Sequence, residues 1–307
     1  MLKKILLALA LLLANFAPTI AGVHMDAFNN NGALLGSNPQ LGGPWTITGT
    51  SVVNPLTVSG GRLSIAATGQ DAFSAFSAQI ATTAGTSIYK GFDLNLTSAN
   101  ATGDYFIHFS DPAGTTTNFY DRVFAQSSGA GFVIGVASGS GTGTVTTYGT
   151  QVLNFGQNYH VVSAWNFVSG TLNDTFTLFV DPKDANVASN TAYTNAVWSG
   201  TLAEPTTNVS AINIRQGTTG PVGSIDNLVV SGIFSEAANI SVVPEPSSFE
   251  LIGMVGLTGL VIASRLLKKK SLVGMIECPR VYLGGSLPPH YVTQLPVTSN
   301  PMSAIMS

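Results

Sequence analysis

From Trp45 to Gly232 the chain repeats one pattern: a short run that alternates apolar and polar residues, then a break at Gly, Asn, Asp or Pro. A period of two puts one set of side chains on each face of a pleated strand, whereas a helix needs a period near 3.6. "GFDLNLTS" sets Phe92, Leu94 and Leu96 on one face, and "DTFTLFVDP" does the same with Phe176, Leu178 and Val180. "DYFIHFSD" is expected to separate Tyr105, Ile107 and Phe109 from Phe106 and His108. The series continues with "WTITGTSVV", "GFVIGVAS", "YHVVSAWNF", "VSAINIRQG" and "SIDNLVVSG", and with "LTVSGGRLSIAA", where Gly60-Gly61 makes a hairpin turn. At least nine short strands without a helical segment among them predict an all-β, two-sheet antiparallel sandwich of the jelly-roll kind over residues 22–241.

Such a body must hold together without disulfides, because the only cysteine is Cys278. Its stability rests on a hydrophobic core, which a domain of this length can supply. Charged residues make up 9% of the chain, against about 25% in ordinary soluble domains. Between Gly22 and Val243 five bases (Arg62, Lys90, Arg122, Lys183 and Arg215) face twelve acids. Neutralising phosphates takes Lys and Arg, so a nucleic-acid partner is excluded.

The two ends read differently from the body. Residues 1–21 look like a secretory signal peptide: Lys3 and Lys4 precede the apolar run Ile5 to Ala14, and Thr19 and Ala21 stand at −3 and −1 of a cut before Gly22. An uncleaved anchor helix is the alternative. No twin-arginine pair precedes the run, which favours the general secretory route. Residues 249–267 form an apolar segment of nineteen residues, about 28 Å long as a helix and close to the thickness of a bilayer core. Arg265 and Lys268, Lys269 and Lys270 follow as a stop-transfer cluster that leaves the body outside. A buried core helix is the alternative here, but the lysines and the prolines upstream favour a transmembrane helix.

Those prolines belong to "VPEPSS", and the triplet, the glycine-spaced apolar segment and the basic cluster together resemble the PEP-CTERM sorting signal of exported bacterial proteins (residues 242–270). The resemblance implies that Pro244, Glu245 and Pro246 are the handle for exosortase, a membrane-embedded transpeptidase-like cysteine protease that removes the membrane segment. Two prolines keep that strip extended and unable to pair in a sheet. Members of the family end soon after the basic cluster, whereas residues 271–307 continue here as an atypical disordered tail rich in Pro and Ser. Within it "LPVTS" resembles a sortase signal but lacks the following glycine and apolar segment. "GQDAFSAFS", "YHVVSAWNF…NDTFTLFVDP" and "IDNLVVSG" resemble the laminin-G and concanavalin-like jelly rolls, which implies a fold and no chemistry.

Hydrolases of that shape need two carboxylates in proximity, one to donate a proton and one to attack. The body has only Glu204 and Glu236, far apart in sequence, and Asp181 and Asp184 flank a turn. His24, His108 and His160 have no nucleophile motif beside them. A glycoside hydrolase is therefore the remote alternative, and no enzyme activity is expected. "DPAGTTTNFYD" supplies Asp111, Asn118 and Asp121 as candidate calcium ligands, although an Asp-Pro turn at a solvated hairpin end explains the same residues. No other cofactor is expected. Trp45, Trp165, Trp198, Phe119 and Tyr120 are candidates for a sugar-stacking platform; Trp198, flanked by loops, is the one expected to be exposed.

The sequence thus predicts an exported surface or matrix protein. Exosortase would be its transient partner, the inner membrane would hold its precursor, and extracellular polysaccharide would be its setting. A lectin-like carbohydrate-binding protein is the alternative.

Overall fold

The computed structural model describes residues 22–205 and 207–240. The signal peptide, the sorting triplet, the transmembrane segment with its basic cluster and the tail lie outside the described residues. Among the described residues, no helix is long and apolar enough to cross a membrane.

In chain order the strands are β1 (His24–Asp26), β2 (Gly32–Ala33), β3 (Thr46–Thr48), β4 (Thr57–Ser59), β5 (Arg62–Ile65) and β6 (Asp71–Ala81). Then come β7 (Ser87–Ser98), β8 (Asp104–Ser110), β9 (Phe119–Ser128), β10 (Gly131–Gly139), β11 (Thr147–Tyr148) and β12 (Leu153–Asn154). The series closes with β13 (Asn158–Asn166), β14 (Thr175–Val180), β15 (Thr194–Val197), β16 (Asn208–Ile214), β17 (Val222–Ser231) and one helical turn, α1 (Phe234–Ala237). They form an all-β antiparallel sandwich. The first sheet runs β15-β14-β13-β7-β17-β5-β4-β2 with β1 beside β17; the second runs β11-β10-β9-β8-β16-β6-β3 with β12 beside β10. The expected hairpin at Gly60-Gly61 joins β4 to β5.

The core lies between the sheets and follows the alternation. Phe92, Leu94 and Leu96 of β7 and Phe176 and Leu178 of β14 are fully buried. Phe92 meets Phe106 edge-on at 6.0 Å and Phe109 stacks on Trp165 at 6.5 Å, each pair bridging the two sheets. Burying a side chain of this size contributes about 1.5–3 kcal/mol. A smaller cluster covers the back of the first sheet, where Val162, Ala164 and Phe179 pack against Phe234, Ala237 and Ala238. This close approach needs a glycine at position 91: a Cβ there would lie 1.7 Å from the Ala237 carbonyl oxygen.

Two expectations are corrected. Strand structure in "WTITGTSVV" stops at Thr48, and Val52 and Val53 are exposed. In β8 the alternation breaks: Phe106, Ile107 and Phe109 all enter the core, while Tyr105 and His108 share the opposite face. The register shows why. From Tyr105↔Phe124 to Ile107↔Val123 two steps of β8 match one step of β9, and such a bulge reverses the parity of the residues beyond it.

Candidate functional site: an arginine and aromatic face on the second sheet

A second irregularity in the same strand pair builds the site. Between Ile107↔Val123 and Phe109↔Tyr120, β8 supplies one residue, His108, and β9 supplies two, Asp121 and Arg122. Asp121 takes a left-handed backbone conformation (φ 45°), which aspartate tolerates better than most residues. The extra residue sends Asp121 into the space between the sheets and Arg122 out onto the opposite face.

On that outward face Arg122 lies over the rings of Tyr105 (5.0 Å) and Phe124 (5.2 Å). Arg215, which follows β16, lies over the other approach to Tyr105 at 4.1 Å. His108 packs between Tyr105 and Phe119, with ring centroids at 5.5 and 4.4 Å. Phe124 continues the aromatic surface to Tyr148. Two of the five bases of an acidic body therefore converge on one phenol ring.

Their electrostatic states differ. Arg215 donates to Asp104 Oδ1 at 2.7 Å and is neutralised there. Arg122 donates to the Gly139 carbonyl, makes no ion pair among the described residues, and leaves its buried Nε without an acceptor. Burial, reinforced by the Arg215 charge, pulls the Arg122 guanidinium down from its usual range. Burial raises the Tyr105 phenol against the pull of the two guanidiniums. It also lowers the His108 imidazole to about 3, so that ring is neutral near pH 7. On the adjoining β16, Asn213 donates to Ser110 Oγ, and its buried Oδ1 accepts nothing. The face thus carries one guanidinium without an ion-pair partner among the described residues, set among aromatic rings, with two buried polar atoms beneath it unpartnered.

The other candidates from the sequence lie elsewhere. Trp198, expected to be exposed, is buried against Tyr120, Trp165 and Phe176, and its Nε1 donates to the Leu202 carbonyl. This loop-flanked tryptophan continues directly from β15, and its amide donates to the Asp174 carbonyl at 2.9 Å, which holds it against the core. Trp45 and Trp165 are buried as well, their indoles donating to Asp26 and Asp174 at 2.7 and 2.8 Å. Tyr120 is buried with them, and only Phe119 joins the outward face.

The calcium candidates do not converge. Asp111 accepts from Ser210, Asn118 donates to the Asp111 backbone carbonyl, and the Asp121 carboxylate is fully buried beside Lys90. Asp121 is therefore not at a solvated hairpin end. Among the described residues no group of three or more His, Cys, Asp or Glu could hold a metal ion.

Glu204 accepts from the Asn173 and Asp174 amides, beside a cleft of about 600 Å3 at one end of the sandwich; Glu236 accepts from Ser231. The two glutamates have separate partners. Asp181 accepts from the His160 amide at the start of β13, and Asp184 accepts from the Asn186 amide within a turn. His24 sits in the core beside Ser74, and His160 lies between Asp93 and the Ala237 carbonyl.

No family model matches the chain, and no curated protein matches it. Several solved structures share its outline. An endo-β-1,4-glucuronan lyase from the fungus Trichoderma reesei is 11% identical, covers 74% of this chain and 100% of its own, and has a TM-score of 0.38. The CBM2 module of an evolved Dit protein from Lactobacillus casei BL23 phage J-1 is 10% identical over 70% of this chain and 96% of its own, with a TM-score of 0.41. A carbohydrate-binding module from Bacillus subtilis is 13% identical over 62% of this chain and 96% of its own, at 0.36. These are likenesses of outline, and none assigns a site to this chain.

Proposed function

We propose that the chain is an exported, non-enzymatic matrix protein that binds acidic extracellular polysaccharide through the outward face of its second sheet. The observation that carries this reading is Arg122, held over Tyr105 with no carboxylate partner among the described residues. A uronate carboxylate can accept a charge-assisted hydrogen bond from that guanidinium, while the sugar ring lies against neighbouring aromatic carbons. Nothing on this face requires a bond to be made or broken. Sorting by exosortase at Pro244-Glu245-Pro246, after transient anchoring in the inner membrane, would deliver the body to the cell surface or matrix. This part of the proposal rests on the motif.

Affinity electrophoresis through gels containing polyuronate or neutral dextran tests the binding reading. Polyuronate is expected to retard the protein, salt to weaken the effect, and Arg122→Ala to abolish it. Equal retardation by dextran, or an unchanged Arg122→Ala, overturns it. The sorting reading is tested separately by intact-mass measurement of the extracellular protein. A mature form still containing residues 251–270 overturns that.

A further inference from the structure

The interior holds a second constellation that the binding face does not use. Lys90 belongs to the inward row of β7 with Ile88, Phe92, Leu94 and Leu96, and it is fully buried. Its Nζ donates to the Asp121 backbone carbonyl at 2.7 Å, lies 3.2 Å from Asp121 Oδ2, and sits over the Phe109 ring at 4.5 Å. Asp121 is also fully buried. Its Oδ1 accepts the Ser163 hydroxyl at 2.6 Å, and its Oδ2 accepts no hydrogen bond. Ser163 stands directly opposite Lys90 in the β13–β7 register, so both groups reach Asp121 from the facing sheet.

We propose that Lys90 and Asp121 join in an intramolecular amide bond that fastens one sheet to the other. Lysine is among the residues least often fully buried, and two desolvated charges are costly to keep in an apolar core. The same burial lowers the basicity of the Lys90 amine against the pull of Asp121. A neutral amine is a nucleophile, and desolvation in a hydrophobic pocket is a recognised way of activating lysine.

The atoms balance without any outside reactant. A proton passes from the ammonium to Oδ2, and the freed lone pair of Nζ attacks Cγ. Developing charge on Oδ1 is met by the Ser163 hydroxyl. A second proton passes from nitrogen to the Oδ2 hydroxyl, the Cγ–Oδ2 bond breaks, and Oδ2 departs as water. The remaining N–H keeps its acceptor in the Asp121 carbonyl. Nothing is oxidised or reduced, and one neutral amide replaces two buried charges.

Tryptic digestion of the denatured full chain decides the matter. Trypsin cuts after Lys90 only if its amine is free, and Arg62 and Arg122 are the flanking sites. The expected product is a single peptide 63–122, uncut at Lys90 and lighter than its sequence by one water, with fragment ions placing the link between Lys90 and Asp121. Ser163→Ala is expected to leave part of the protein unlinked, and Asp121→Ala to restore the cut. Separate peptides 63–90 and 91–122 at their sequence masses overturn the proposal, as does an uncut peptide of full mass. The wild-type digest alone is decisive if a variant fails to fold.

Discussion

Asp121 and Arg122 are neighbours in one strand, yet one carboxylate is sealed between the sheets and one guanidinium lies on the outward face. The bulge that separates them creates two charge sites back to back across a single sheet. Inside, Lys90 and Asp121 are fully buried and face each other. Outside, the cation has no partner of its own among the described residues and an aromatic frame around it. A charge that is paired and buried serves the fold, whereas one that is held but left unpaired is available to a ligand.

The most severe challenge to this contrast is to remove one half of the inner pair. Lys90→Ala strands a buried carboxylate and is expected to cost about 3–5 kcal/mol in chemical denaturation, while the double variant Lys90→Met, Asp121→Asn recovers most of that loss. A small loss in the single variant would mean that the pair is not sealed from water.

Acid acts next. Burial lowers both His24 and His108 to about 3. The unfolded chain therefore takes up these two protons from pH 6.5 downward, and the folded chain does not until about pH 3. Stability falls through that window by about 1.4 kcal/mol per pH unit for each histidine. Asp26, Asp71 and Asp174, raised by burial, act in the opposite sense, but only as pH approaches the carboxylate range. The measurable outcome is a melting temperature that drops between pH 6.5 and 5, with a shallower slope in His108→Gln. A flat profile would place both rings in contact with solvent.

On the outer side Arg122→Ala should weaken polyuronate binding about tenfold or more, the scale of a charge-assisted hydrogen bond. It should shift stability by less than about 1 kcal/mol, as expected for a cation on an aromatic face. Loss of stability on the scale of Lys90→Ala would erase the distinction between the two sites. The smallest expected effect is that of calcium. With the Asp121 carboxylate committed to Lys90 and Ser163, millimolar calcium should leave the melting temperature unmoved; a calcium-dependent rise lost in Asp111→Ala would refute this.

The sandwich was legible because long strands such as β7 and β14 keep parity throughout. Lys90 was legible by the same parity, standing in step with Phe92 and Leu94, but a lysine in an inward row reads as a break in the pattern until its partner is visible. The outward face was not legible. Tyr105 changes sides and joins His108 through a bulge, which alters the backbone without leaving a mark in composition. Arg122 and Arg215 meet only because β8 lies between β9 and β16, an order set by the whole fold. Trp198 misled for a related reason: loop flanks describe its neighbours in sequence, while its burial comes from Tyr120 and Trp165.

The strand order also fixes a schedule. β16 and β17 are the last strands among the described residues, yet each lies in the middle of its sheet, β16 between β8 and β6 and β17 between β7 and β5. Neither sheet can be completed while residues 208–231 are still missing. Such distant pairings also make for slow folding. A chain of this design must be made almost to the end of β17 before either sheet can close. Lys90 cannot be sealed against Asp121 until β17 has taken its place beside β7, so the final structure and the chemistry at its centre begin together.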